Sequence, residues 1–390
     1  MHEPPTVAAV ASSEQPVARY LDAASSEPLH PVALETWQAA QEAGWADPLR
    51  LHQQARTARL LLDNARAAVA DALSVRDDEV TFTGSGTSAT HAGVLGLLRG
   101  RSRVSARLAH PAVEHSAVYA AARWWQTWAD GRVEVLPVDP SGRLDPATLT
   151  PVQTTDLAVL AVQQANPEVG TVQPVDELAA AAGGAPLFVD ACTSAGRLPL
   201  PEGWSAAAAS AHKWGGPAGV GVLLVRKGSR WRAPFPTDDR ADPRTSGFED
   251  VPGVLAAAAA LQVAVAEREE RNARHERLSA RLRAVLATLP DVEVHGHPEH
   301  RLPHLVSFSC LYVDGETLVG ELDRRGFAVA SGSACTASAL EPSHVLVAMG
   351  ALTHGNVRVS FTRTTSDDDV EALATVLPTV VARLRERALA

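Results

Sequence analysis

The chain has 390 residues, 46% hydrophobic and 21% charged, which supplies apolar side chain for two or three domain cores and excludes wholesale disorder. Its 35 basic and 45 acidic residues leave a net charge of −10, which repels phosphate backbones and anionic lipid and argues against a general nucleic-acid or membrane-surface binder. Three scattered cysteines, Cys192, Cys310 and Cys335, argue against a disulfide framework or a zinc cluster.

The opening segment, MHEPPTVAAVASSEQPV, has no basic stretch ahead of an apolar core. It does not read as a secretory signal, so residues 1–17 are expected to be a flexible lead-in and the cytoplasm the default location. From Asp47 to Val225 the runs EVTFT, SRVSARL, RVEVLPV, DLAVLAV, APLFVDA and GVGVLLV read as short strands, with helical periodicity between several of them. This alternation predicts an α/β sheet covered on both faces. Residues Val251 to Leu289 read as one long helical spine, apolar and Ala-rich first and charged at helical spacing later. Its apolar part is broken by Pro252, Gly253 and Gln262 and falls short of the roughly 18 residues a membrane span needs. After it, VEVHG, HLVSFSCLYV, a helix near Glu316 to Arg325, FAVAS, NVRVSF and a last helix from Asp367 predict a smaller α+β domain. Thr365 or Ser366 is placed to cap that last helix, with Asp367 to Asp369 against its N-terminal dipole, so the acidic run needs no metal. The resulting division is 1–17 as a lead-in, 18–265 as a large domain whose N-terminal segment contributes near the ligand site, and 266–390 as a small one carrying the loop around Cys335.

Of the 35 basic residues only Lys213 and Lys227 are lysine. A chain that otherwise meets every need for positive charge with arginine retains lysine where a guanidinium, always protonated, cannot serve, as in Schiff-base chemistry or proton transfer at carbon. Lys227, in the basic turn VRKGSR, has no such setting, whereas Lys213 lies in SAHKWGGPAGVG, beside Ser210 and His212 and ahead of a glycine-rich turn. FTGSGTSAT, Phe82 to Thr90, follows a strand and opens a helix, so its N–H groups and hydroxyls form an anion cradle. On its own this is an ordinary strand-to-helix turn. A third element is PLFVDACTSAGRLPL, where a buried strand ends on Asp190, at the edge where open α/β sheets bind ligands. Asp190 and Lys213 are 23 residues apart, the length of a strand, a connection and a second strand, so they can meet at one edge. A phosphate cradle, an acid to pair with a pyridinium nitrogen and a lysine flanked by hydroxyl and imidazole are together the parts that hold pyridoxal phosphate. Cys335 lies in VASGSACTASALEPSHVL, a strand running into a loop of small residues that offers a nucleophilic thiolate access and mobility. Cys310, in VSFSCLYV, reads as a packing residue; Cys192, two residues after Asp190, is within reach of the site, but packing is favoured there too.

From YLDAASSEP near Tyr20 to about Arg363, these motifs resemble the cysteine desulfurases, within the aminotransferase class V group of fold type I pyridoxal-phosphate enzymes. The resemblance implies a large domain with a mainly parallel seven-stranded sheet between helices and a small α+β domain. It places Gly86 and Thr87 at the cofactor phosphate, and His115 of VEHSAV over the pyridine ring as an acid/base group. Asn166 of ANPEVGTVQP would face cofactor and substrate, and Thr193 would stand near the ring hydroxyl. Asp190 would sit at the ring nitrogen, and Ser210, His212 and Lys213 would carry the cofactor. GSACTASALEPS, Gly332 to Ser343, would present Cys335, and Arg358 of NVRVSF would clamp a substrate α-carboxylate. The implied activity is desulfuration of L-cysteine to L-alanine, with a persulfide on Cys335 passed to an acceptor protein by a homodimer.

Several positions depart from the family pattern. Ala23, Ser25, Ser26 and Glu27 replace the asparagine and threonines of DNAATTP, Thr193 replaces a glutamine, and Pro167 replaces the second asparagine of NNE. In RTSGFEDVP either Phe248 takes the place of a threonine that reaches the partner subunit's phosphate in the family, or one residue is inserted after Arg244. Two alternatives therefore stand beside the desulfurase reading. One is a related C–S or C–Se lyase with a different substrate, and the other is a non-catalytic scaffold for a sulfur acceptor.

Overall fold

A computed structural model of the chain describes residues 19–150, 154–238, 242–331 and 342–389. The expected lead-in over residues 1–17 and the Cys335 loop, including Gly332, lie outside the described residues.

The large sheet contains seven strands: β2 (Val80–Thr83), β3 (Arg107–Pro111), β4 (Arg132–Leu136), β5 (Val159–Gln163), β6 (Leu187–Asp190), β7 (Ala206–Ser210) and β8 (Gly221–Val225). Their order is β2-β8-β7-β6-β5-β3-β4, and only β8 runs against its neighbours. Strands β5, β6 and β7 are buried along their whole length, as the continuous apolar runs of a sheet covered on both faces require. β7 is the strand that the sequence conceals. Its AAAAS has none of the β-branched or aromatic side chains that announce a strand. Its small side chains instead suit close packing by helix α3 (Gly86–Arg101), which lies across β7 and β8. The same closeness operates at Gly93 of α3, where a Cβ would come within 2.4 Å of the Phe188 ring.

Helices α1 (Pro31–Ala43), α2 (Gln53–Leu73), α4 (Ser116–Ala129) and α5 (Val175–Ala181) complete the layers of the first part. The expected spine is two helices, α6 (Val251–Ala266) and α7 (Arg268–Leu286), meeting at Glu267 with a bend of 68°. α6 is apolar on nearly every side because α1 and α2 pack on it. α7 buries Leu278, Leu282 and Leu286 at helical spacing and leaves most of its charges outside. Among the described residues no single helix is long and apolar enough to cross a membrane.

The second core gathers those leucines with Phe308, Phe361, Leu373 and Leu377. It is built on the antiparallel sheet β12-β10-β9, formed by β9 (Val292–Val294), β10 (Leu305–Cys310) and β12 (Asn356–Ser360). Helices α8 (Gly315–Asp323), α9 (His344–Met349) and α10 (Asp367–Leu389) accompany it. Ser366 and Asp369 cap α10 reciprocally, each side-chain oxygen accepting the other residue's backbone N–H at 3.0 and 3.2 Å. Cys310 is fully buried in this core, as expected of a packing residue. β1 (Arg19–Tyr20) pairs in parallel with β11 (Phe327–Ala328), and Leu21 joins the second core, so the first described residues pack with the small unit before the chain crosses to the large one.

Candidate active site

The residues singled out by motif converge at the edge where β3, β5, β6 and β7 end, the ligand-binding edge of an open α/β sheet. They line an open cavity of about 810 Å³. Gly86, Thr87, His115, Asp190, Thr193, Ser210, His212, Lys213 and Arg358 all stand on its wall.

The cradle forms because β2 ends at Thr83 and the chain turns through Gly84 into α3, whose N-terminus Ser85 caps by accepting the Ser88 N–H at 3.0 Å. Gly86 and Thr87 are the first two helical residues, so their N–H groups have no acceptor within the helix. At Gly86 a Cβ would lie 2.7 Å from Ser210 Cβ and 2.8 Å from Cys192 Sγ, so only glycine keeps this end of the cavity open. Asp190 ends β6, buried, with Oδ1 accepting the Cys192 N–H at 2.9 Å.

Lys213 lies in a 3-10 turn directly after β7, in a chain path that a left-handed glycine, Gly215 (φ 88°), reverses. Its Nζ donates to the carbonyl of Ala24. The N-terminal segment thus reaches the site through its backbone: the Glu27 N–H donates to His212 O at 2.8 Å and the His30 N–H to Gly215 O at 2.8 Å. Backbone contacts of this kind do not depend on the asparagine and threonine side chains that the chain lacks. Beneath them, the Arg197 guanidinium donates to Glu27 Oε2 at 2.8 Å and to Lys213 O at 3.2 Å, and Glu27 Oε1 accepts the Arg363 N–H at 2.8 Å. One buried carboxylate therefore joins the lysine turn, the segment after β6 and the segment after β12.

His115 caps α4 by accepting the Ala117 N–H on Nδ1 at 3.1 Å, so its neutral ring carries the proton on Nε2. Burial lowers its pKa, with Asp190 opposing and Lys213 reinforcing that shift. His212, whose Nδ1 lies 3.1 Å from Ser210 Oγ, is held near a pKa of about 4 by burial and by the adjacent Lys213. Both imidazoles are neutral at pH 7.

One residue lies elsewhere than expected. Asn166 does not face the cavity. It is fully buried, with its amide donating to Val113 O at 3.0 Å and accepting the N–H groups of Glu168 and Val169 at 2.8 and 2.9 Å. Those bonds fold the turn that presents Pro167 to the cavity, so Asn166 shapes the wall from behind. Cys192 packs against the core around Phe188, as expected, and also lines the cavity; burial, followed by the Asp190 carboxylate, pushes its thiol pKa well up. Phe248 is 65% exposed and is not part of this cavity.

Three further residues bear on the site. Ala24 and Ser25 form part of its wall, and Glu168, beside Pro167, accepts the Ser343 hydroxyl at the base of α9. Burial raises the Glu168 pKa against the pull of that hydroxyl.

Residues 19–373 match the family described as aminotransferase class-V. The chain belongs to the aminotransferase class V family. It is 36% identical over 386 residues to an IscS-like cysteine desulfurase of Mycobacterium tuberculosis, covering 95% of this chain and 98% of that one. It is 33% identical over 358 residues to the cysteine desulfurase NifS of Azotobacter vinelandii, covering 87% of each. Among solved structures it is similar to a NifS-like protein with a TM-score of 0.87 at 25% identity, covering 94% of this chain and 100% of that one. The family depends on pyridoxal phosphate, and the donor set fits that group. A glycine cradle at a helix N-terminus opens onto the same cavity as a buried strand-end acid and the half-buried Lys213.

Proposed function

We propose that the chain is a pyridoxal-phosphate-dependent L-cysteine desulfurase that loads sulfur onto Cys335 and releases L-alanine. The observation that carries the reading is the shared cavity of Gly86, His115, Asp190, Lys213 and Arg358, drawn from five separate motifs. Gly86, Thr87 and Ser210 would hold the cofactor phosphate, Asp190 its ring nitrogen, and His115 and Thr193 the remainder of the ring. When bound, pyridoxal phosphate withdraws electrons from the substrate's α-carbon. Arg358 orients the α-carboxylate, and Lys213 moves the proton at Cα. His115, neutral with its proton on Nε2, is suited to give and take a proton beside it. The Cys335 thiolate then attacks the sulfur of L-cysteine. An S–S bond forms as the C–S bond breaks, the electron pair passes to the carbon skeleton, and protonation of that skeleton yields L-alanine.

Cys335 lies outside the described residues, but its flanks are fixed at this cavity. Ala330 exchanges backbone hydrogen bonds with Arg358 at 2.8 and 3.1 Å, and Ser343 is tied to Glu168 beside Pro167. Cys335 lies five positions along the chain from Ala330, a span of up to about 17 Å. A cytoplasmic homodimer that passes the sulfur to an acceptor protein is the setting this reading carries. The partly exposed apolar residues Val32, Leu34 and Trp37 on α1, with Trp45 and Leu51 after it, support an interface there. The test is alanine production from L-cysteine. Wild type is expected to turn over, and Lys213→Ala and Cys335→Ser to lose activity by at least about 100-fold. Turnover by Lys213→Ala at the wild-type rate overturns the assignment.

A further inference from the structure

The Arg358 guanidinium, 4% exposed, enters the cavity already engaged. Nη1 donates to Pro167 O at 3.0 Å, and Nη2 donates both to Asp22 Oδ1 at 2.8 Å and to Ser25 Oγ at 2.6 Å. Nε is buried without a partner among the described residues. A carboxylate pairs with arginine through two parallel N–H groups, either Nη1 with Nη2 or Nε with Nη2. Each fork needs one of the two Nη2 hydrogens, and Asp22 and Ser25 hold both. No carboxylate can dock in two-point fashion until one of them lets go.

The two holders differ in what they can yield. Asp22 carries a charge opposite to the guanidinium, and its backbone is pinned by a bridge to Ser360 and by the Ser25 N–H donating to its carbonyl at 3.0 Å. Ser25 is neutral, stands on the cavity wall and needs only a rotation about Cα–Cβ to release its bond. Glu168, Tyr20 and His304 also lie in electrostatic reach of Arg358, and His115, Asp190 and Lys213 share its cavity, but its ion-paired partner among the described residues is Asp22.

We infer that Asp22 and Ser25 set the affinity and selectivity of this cavity for α-carboxylates. The incoming carboxylate takes the Nη2 hydrogen held by Ser25, pairs through Nε and Nη2, and shares the guanidinium with the Asp22 carboxylate. Like-charge proximity keeps carboxylate ligands weakly held, and retaking of the guanidinium by Ser25 and Asp22 helps expel an amino-acid product. The inference rests on the reading of Arg358 as the α-carboxylate site.

The experiment measures the affinity of the holoenzyme for L-alanine and for L-alaninamide, which lacks the carboxylate, by calorimetry. Asp22→Asn is expected to tighten L-alanine about tenfold and Ser25→Ala about threefold, both leaving L-alaninamide unchanged. Arg358→Gln is expected to abolish the preference for L-alanine over L-alaninamide. If Arg358→Gln weakens L-alanine while both other variants leave it unchanged or weaker, or tighten both ligands equally, the Asp22 and Ser25 inference is overturned and the carboxylate assignment stands. If Arg358→Gln leaves L-alanine binding intact, the assignment itself fails. Ser25→Ala decides the matter alone should Asp22→Asn not fold.

Discussion

Glu27→Ala tests whether the buried carboxylate under the lysine turn holds the two units of the chain together. Glu27 and Arg197 side chains are 5% and 4% exposed, and they meet at 2.8 Å. Arg197 stands close enough to Arg271 to contribute, after burial, to depressing its pKa to about 10, and it does the same to His275, so removal of Glu27 leaves positive charge without its neutralising partner. Breaking a buried pair from one side costs about 3–5 kcal/mol, and the Arg363 N–H, deprived of its acceptor, moves the expectation toward the upper end. Urea unfolding followed by circular dichroism should report that loss. Removing both partners, with Glu27→Ala and Arg197→Met together, should recover about 2 kcal/mol of it, because no unpaired charge is then buried. A loss below about 1 kcal/mol for Glu27→Ala, with no coupling in the double variant, would place the pair with exposed ion pairs and refute the reasoning.

Gly86→Ala should weaken cofactor retention by at least about tenfold, since its Cβ meets two wall atoms within 2.8 Å. Visible absorbance after dialysis measures this, and full retention would show that the cradle lies elsewhere. His275 donates from Nε2 to Thr362 O at 3.0 Å and is held at a pKa of about 3, chiefly by burial and then by Arg197. The unfolded chain takes up a proton on this residue as pH falls through about 6.5, whereas the folded chain does not until about 3, so stability declines on acidification within that window. His275→Gln should make the decline shallower by up to about 1.4 kcal/mol per pH unit, read from urea midpoints between pH 4 and 6. An unchanged slope would mean that His275 is not the buried neutral group.

Much of the site was legible because its chemistry demands particular residues at particular turns. A glycine that must lack a Cβ, an acid ending a buried strand and a lysine in an arginine-rich chain each leave a mark in a single sequence. What escaped was decided by packing. β7 hides because four alanines carry no strand signal, although they suit the closeness of α3. Asn166 belongs to the family motif but spends its amide on three backbone groups, which spacing cannot reveal. The N-terminal segment reaches the lysine turn through carbonyls and N–H groups, contacts that the identity of its side chains does not announce. The pairing of Glu27 with Arg197, and of Asp22 with Arg358, joins residues 170 and 336 positions apart, beyond any local pattern.

The most direct measurement is the mass of the Cys335 peptide after exposure of the holoenzyme to limiting L-cysteine, quenched by alkylation. One added sulfur atom on that peptide, in step with L-alanine and absent in Lys213→Ala, is the result expected. L-Alanine formed without sulfur on Cys335, or sulfide released undiminished by Cys335→Ser, would contradict transfer through this thiol.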